Sequence, residues 1–120
     1  MVTSYRDLKV WQAAMNLADM VYRQTENLPQ RETFGLRQQL ERSAVSIPSN
    51  IAEGHARDST REYLHYVSIA LGSVAELETQ VLLARRRTYI AEDAAASVLA
   101  SADEVGKMLR GLQKSLKARL

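Results

Sequence analysis

Glu62-Tyr63-Leu64-His65 sets a carboxylate and an imidazole three positions apart, the spacing that one helix of a di-iron carboxylate bundle presents to its metals. Such a centre needs a second Glu-x-x-His and carboxylates from two further helices, and the only other histidine is His55. Glu62 also has a competing task, because Ser59-Thr60-Arg61-Glu62 reads as a capping box. In that motif the serine hydroxyl accepts from the Glu62 amide while the carboxylate reaches back to the cap residue's own N–H. The absence of cysteine removes thiolate metal sites and a Cys nucleophile. Arg61 and His65 share a helix face as in some helical-bundle ribonucleases, but the three residues between them are fewer than that arrangement uses. No Ser-His-Asp order, phosphate-cradling glycine loop or zinc pattern is present. The expectation is a protein with no catalytic residues, metal or cofactor.

Two polar stripes stand out. Arg42, Ser46, Asn50 and Glu53 are spaced four, four and three, which lines them along one side of a helix. A hairpin to the next helix brings Glu76 within about a turn of Arg42. The stripe reads either as a ligand or RNA site or as a hydrogen-bonded network fixing helix register or a subunit contact. The network is favoured, because buried polar groups must find partners. Lys107, Arg110, Lys114 and Lys117 step by three, four and three, with Arg119 following and no acid after Glu104. Cations near a helix C-terminus complement its dipole. In an antiparallel bundle this end also lies beside Arg6, Lys9, Arg57 and Arg61, making one pole cationic and attractive to an RNA or DNA backbone. With few aromatic platforms such binding carries no sequence code. Arg85 to Arg87 form a second basic cluster at the opposite pole, readable as a solvated turn.

The elements that position these residues follow from composition and periodicity. The 120 residues are 46% hydrophobic and 25% charged, ordinary for one globular domain spanning 1–120 that buries a core without a covalent staple. Net charge is only +2, and the first sixty residues carry seven basic and seven acidic groups, so the excess lies in the second half. The absence of cysteine suits a reducing cytoplasm. The charged N-terminus lacks an apolar leader segment, and no uninterrupted apolar run approaches the ~18 residues of a membrane span. A cytoplasmic protein without membrane contact is expected.

Strand signals are missing, and four helical stripes replace them. Leu8, Trp11, Met15, Ala18 and Tyr22, with Val21 beside them, predict a helix from Asp7 to Glu26, ended by Pro29. Leu36, Leu40, Ala44, Ile47 and Ile51 form the second stripe, with a kink expected at Pro48 and a stop at Gly54. Ser59 starts a third helix along Tyr63, Val67, Ala70, Val74, Leu77, Val81 and Ala84, with a tight interhelical contact expected at Gly72-Ser73. The fourth runs along Ala91, Ala94, Val98, Ala102, Val105, Leu109, Leu112 and Leu116. Short connections between long helices make antiparallel neighbours, so the predicted fold class is all-α, an up-down-up-down four-helix bundle. Leu17, Ile69, Leu82, Leu83 and Leu99 fall off these seams, which points to self-association.

The runs Tyr5 to Ala14, Leu28-Pro29, Gly35 to Gly54 and Ala70 to Glu78 appear in order. Together they resemble the four-helix bundle proteins encoded in intervening sequences of bacterial 23S ribosomal RNA genes, sometimes called S23 ribosomal proteins. Ser46-Ile47-Pro48-Ser49-Asn50-Ile51-Ala52-Glu53-Gly54 is the most specific of these runs, and the match covers about residues 5 to 90. The resemblance implies a ring-shaped homopentamer without catalytic residues. The accessory variability proteins of diversity-generating retroelements are similar in fold and are basic, nucleic-acid-binding pentamers. The leading expectation is a non-enzymatic homo-oligomeric scaffold or accessory factor binding RNA or DNA nonspecifically. A protein-binding module without nucleic acid and a nuclease-like bundle using Arg61 and His65 are the alternatives.

Overall fold

The computed structural model describes residues 4–120. Met1 to Thr3, which begin the predicted domain and the charged N-terminus, lie outside the described residues. The chain forms a 3-10 turn Tyr5–Asp7, α1 Lys9–Thr25, a second 3-10 turn Gln30–Glu32, α2 Leu36–His55, α3 Thr60–Arg86 and α4 Glu92–Lys117. There is no strand among the described residues. Each helix packs on its chain neighbours and α1 also packs on α4, which sets α1 diagonal to α3 and α2 diagonal to α4. Side-chain pairings fix the directions. Ser43 meets Gln80 and Ser46 meets Ser73 across α2 and α3, so numbering rises on one helix as it falls on the other. Thr25 at the end of α1 bonds Glu41 near the start of α2. The result is an all-α four-helix bundle measuring 45 × 24 × 20 Å.

The stripes of α2 and α3 predicted the core: Leu40, Ala44, Ile47, Ile51, Val67, Ala70, Leu77, Val81 and Ala84 are at most 1% exposed. In α1 the core stripe differs from the expected one. Val10, Ala14, Leu17 and Val21 face inward together with Ala18 of the expected stripe, whereas Met15 and Tyr22 are 44% and 42% exposed. The two stripes are offset by a single residue, so both have helical period, and the inward one is the smaller set that lets α2 and α4 close over it. Leu17, expected off the seam, is therefore fully buried. In α4 the first core residue is Ala95, with Ala91 capping the helix and Ala94 half-buried.

Helix boundaries follow local chemistry. Ser4 caps the first 3-10 turn by accepting the Arg6 N–H at 3.2 Å, and α1 begins two residues later than Asp7. The chain leaves α1 at Glu26, and Pro29 instead opens the second 3-10 turn. α2 continues unbroken through the buried Pro48, where the ring removes only one backbone donor. Ser59 caps α3, its Oγ accepting from the Glu62 N–H at 3.1 Å; the carboxylate returns to the Ser59 hydroxyl at 3.2 Å rather than to its amide. α3 ends in a Schellman arrangement: the Tyr89 N–H donates to Ala84 O and the Thr88 N–H to Arg85 O. Thr88 occupies its left-handed position with φ 62°.

The expected glycine roles are exchanged. Gly54 does not stop α2, which runs on to His55; it lets α3 approach. A Cβ there would lie 2.8 Å from Tyr66 Cβ and 3.0 Å from Tyr63 Cδ1. At Gly72-Ser73, where the tight contact was expected, Ser73 meets Ser46 of α2 at 2.8 Å, whereas Gly72 lies on the outer side of α3 with nothing within 4 Å.

Candidate functional site

Part of the polar stripe on α2 is a bonded cluster. Ser46 and Ser73 share a hydrogen bond of 2.8 Å, and the Asn50 amide donates to Ser46 O at 2.8 Å and to Ser46 Oγ at 2.9 Å. One turn away Ser43 Oγ donates to Gln80 Oε1 at 2.7 Å, a fully buried pair. Arg42 and Glu76 line the same groove between α2 and α3 beside this cluster, yet both are exposed and no ion pair joins them. Glu53 lies exposed at the far end of α2, outside the cluster. Every buried side-chain polar atom among the described residues is satisfied, as a low-dielectric interior requires. The sequence reading missed Ser43 and Gln80. Their place on the inward side of the α2 and α3 stripes was the available signal.

The basic stripe is solvent-exposed along its length. Lys107 is paired with Asp103 at 3.2 Å, and Arg110 sits with it on the groove between α3 and α4. Lys114 and Lys117 continue to the pole. Burial pushes the Tyr63 phenol above its ordinary value, and the Arg119 charge opposes that rise, which sets the end of α4 against the start of α3. This pole has more aromatic character than the sequence suggested. Arg57 lies 4.9 Å over the Tyr66 ring and donates to its hydroxyl at 2.6 Å. Arg6 lies 5.5 Å over Tyr5, whose ring meets Trp11 edge-on at 5.3 Å. His65 and His55 each meet a tyrosine edge-on, Tyr66 and Tyr63 respectively. No cluster of three or more His, Asp or Glu suited to a metal ion occurs among the described residues.

At the opposite pole Tyr89 ties two turns together. Its hydroxyl donates to Glu32 Oε2 and accepts from Arg31, both at 3.1 Å. Arg31 and Arg87 lie over its ring, so Arg87 is engaged rather than merely solvated. Glu32 Oε1 accepts the Leu36 N–H at the start of α2. That bond first, then the Tyr89 hydroxyl and the Arg31 and Arg87 charges, hold Glu32 below its ordinary value.

Two apolar surfaces remain open. Trp11, Met15 and Tyr22 from α1 and Val45, Pro48 and Ala52 from α2 line a groove of about 460 Å³. On α3, Ile69, Leu82 and Leu83 are 39%, 42% and 47% exposed. By length and composition α3 is apolar enough to cross a membrane, but only 39% of its most apolar window is buried in the bundle.

The family model described as 23S rRNA-intervening sequence protein matches residues 6–111. The chain belongs to that family. A solved structure, that of a protein with unknown function from the S23 ribosomal protein family of Bacteroides thetaiotaomicron VPI-5482, is similar to it, with a TM-score of 0.82 and 25% identity. That likeness covers 88% of this chain and 98% of the other. Among curated proteins, none matches. The matched region takes in the α2 cluster, both apolar surfaces, Lys107 and Arg110, and reaches further into α4 than the resemblance at residues 5 to 90. Lys114 and Lys117 fall beyond it.

Proposed function

We propose that this intervening-sequence protein is a non-enzymatic, single-domain cytoplasmic scaffold or accessory factor that assembles with copies of itself and holds RNA or DNA nonspecifically at its cationic pole. One observation carries the assembly: α3 leaves Ile69, Leu82 and Leu83 39%, 42% and 47% exposed on its outer side, apolar side chains that a second copy would cover. The subunit number implied by the resemblance is five, in a ring. Ring symmetry repeats the pole of Arg110, Lys114, Lys117 and Arg119 on every copy, which raises the attraction to a phosphate backbone. Stacked Arg57–Tyr66 and Arg6–Tyr5 pairs at the same pole support contact with unpaired bases. Light scattering of the purified protein before and after nuclease treatment tests both parts. A multimer that sheds absorbance at 260 nm on nuclease treatment is expected; a monomer free of nucleic acid defeats the proposal.

A further inference from the structure

We propose that the groove between α2 and α3 binds a small zwitterion of the amino-acid type, its carboxylate on Arg42 and Gln80 and its ammonium on Glu76. This site is independent of self-assembly and of the cationic pole. The groove has a volume of about 470 Å³ and is lined by Gln39, Arg42, Ser43, Ser46, Glu76 and Gln80, a size that suits a small molecule. Every one of those side chains is polar.

Three groups at the groove have no partner in the subunit. Among the described residues Arg42 and Glu76 make neither a hydrogen bond nor an ion pair. Gln80 is only 9% exposed, and its Oε1 accepts from Ser43, but its amide nitrogen donates to nothing. No sealed side-chain polar atom among the described residues lacks a partner, so that nitrogen opens on the groove. A donor held this deep and left unbonded is unfavourable; an acceptor seated in the groove completes it.

Register and charge select the ligand. Ser43 faces Gln80 and Ser46 faces Ser73, which sets Arg42 nearly level with Gln80 and places Glu76 four residues along α3, about 6 Å down the axis. A carboxylate taken by the Arg42 fork and Gln80 Nε2 leaves the attached ammonium of an α-amino acid directed toward Glu76. The lining holds one cation and one anion, so a ligand carrying the same two opposite charges is matched at both ends. Glu76 repels a phosphate, and no ring or glycine lines the groove to stack a base or cradle a phosphate.

The test is a thermal-shift screen of the full chain against each standard L-amino acid at millimolar concentration, with acetate and ethylammonium as controls bearing one charge each. At least one amino acid should raise the melting temperature and shift the Gln80 side-chain amide resonances of the ¹⁵N-labelled protein, while neither control does. Arg42→Gln and Glu76→Gln should each weaken that binding at least about tenfold by calorimetry. Both residues are exposed and unbonded, so the unliganded variants should melt as the wild type does. The proposal is overturned if no amino acid binds, if acetate binds as well as the zwitterion, if the Gln80 resonances stay in place, or if binding survives both substitutions. A changed subunit number in either variant by light scattering would assign the pair to a subunit contact and overturn it equally.

Discussion

Gly54 of α2 faces Tyr66 of α3 with no room for a side chain between them: a Cβ on Gly54 would stand 2.8 Å from Tyr66 Cβ. The atom it meets is bound directly to the α3 backbone and cannot swing aside. Gly54→Ala therefore costs about 1–3 kcal/mol of overpacking, offset by roughly 1 kcal/mol of helix propensity. A net loss of up to about 2 kcal/mol is expected in urea denaturation. Gly111→Ala is the control, since nothing lies within 4 Å of Gly111. It should stabilise by about 0.5–1 kcal/mol, so equal effects at the two sites would sink this reading.

The buried Ser43–Gln80 bond makes a different prediction. Ser43→Ala leaves Gln80 Oε1 without its donor at a site 9% exposed or less, a penalty of about 1–3 kcal/mol. Pairing it with Gln80→Leu should recover most of the loss. In a double-mutant cycle the Ser43–Gln80 coupling should exceed that of the exposed, unbonded Arg42–Glu76 pair, which is expected below about 0.5 kcal/mol. A larger Arg42–Glu76 coupling would return those two residues to the network.

Thr88 occupies a left-handed position normally given to glycine, with φ 62°. A β-branched residue is strained there by about 1–2 kcal/mol. Thr88→Gly should raise the melting temperature despite adding freedom to the unfolded chain, and Thr88→Asn should raise it as well. Unchanged melting in both variants would mean that the Schellman turn exerts no strain.

The Glu32 carboxyl is held below its ordinary value of 4.5, first by the Leu36 amide and then by the Tyr89 hydroxyl. A depressed carboxylate stabilises the fold above its unfolded-state value and loses that contribution as pH falls through the folded-state value. Glu32→Gln should lower the melting temperature at neutral pH and lose that difference progressively below about pH 4.5. Tyr89→Phe should shrink the effect. A wild-type-to-variant difference that grows on acidification would contradict the assignment.

Charge reversal addresses the nucleic-acid pole. Arg110→Glu with Lys114→Glu should abolish a salt-sensitive gel shift, lowering affinity at least about tenfold at low ionic strength. Both side chains are exposed, so the fold should survive. Retained binding would move the nucleic-acid surface elsewhere.

The four helices and the cap at Ser59 were legible because each depends on neighbours within a turn or two. The α2 and α3 core was legible because each helix carries one dominant apolar stripe. In α1, Val10-Ala14-Leu17-Val21 and Trp11-Met15-Ala18-Tyr22 are equally periodic and one residue apart, so period alone could not say which faced inward. The same ambiguity hid the groove, for the stripe taken as core is the one that lines it. Arg42, Ser46, Asn50 and Glu53 share a stripe by spacing, but only Ser46 and Asn50 are hydrogen-bonded, because depth in the bundle varies around a helix in a way spacing does not record.

Chemistry and topology thus divide cleanly in this protein. Its residue inventory alone determined that Glu62-x-x-His65 stands without a second copy, since counting histidines and cysteines needs no coordinates. It also determined an all-α chain, since helical periodicity is a local property. Only the tertiary structure decided that Glu62 closes its cap through the Ser59 hydroxyl, that Gly54 rather than Gly72 makes the close helix contact, and that α1 and α3 turn apolar surfaces outward. Those outcomes depend on which residues of distant segments meet, and a contact between α2 and α3 is set by the packing of the whole bundle rather than by either helix.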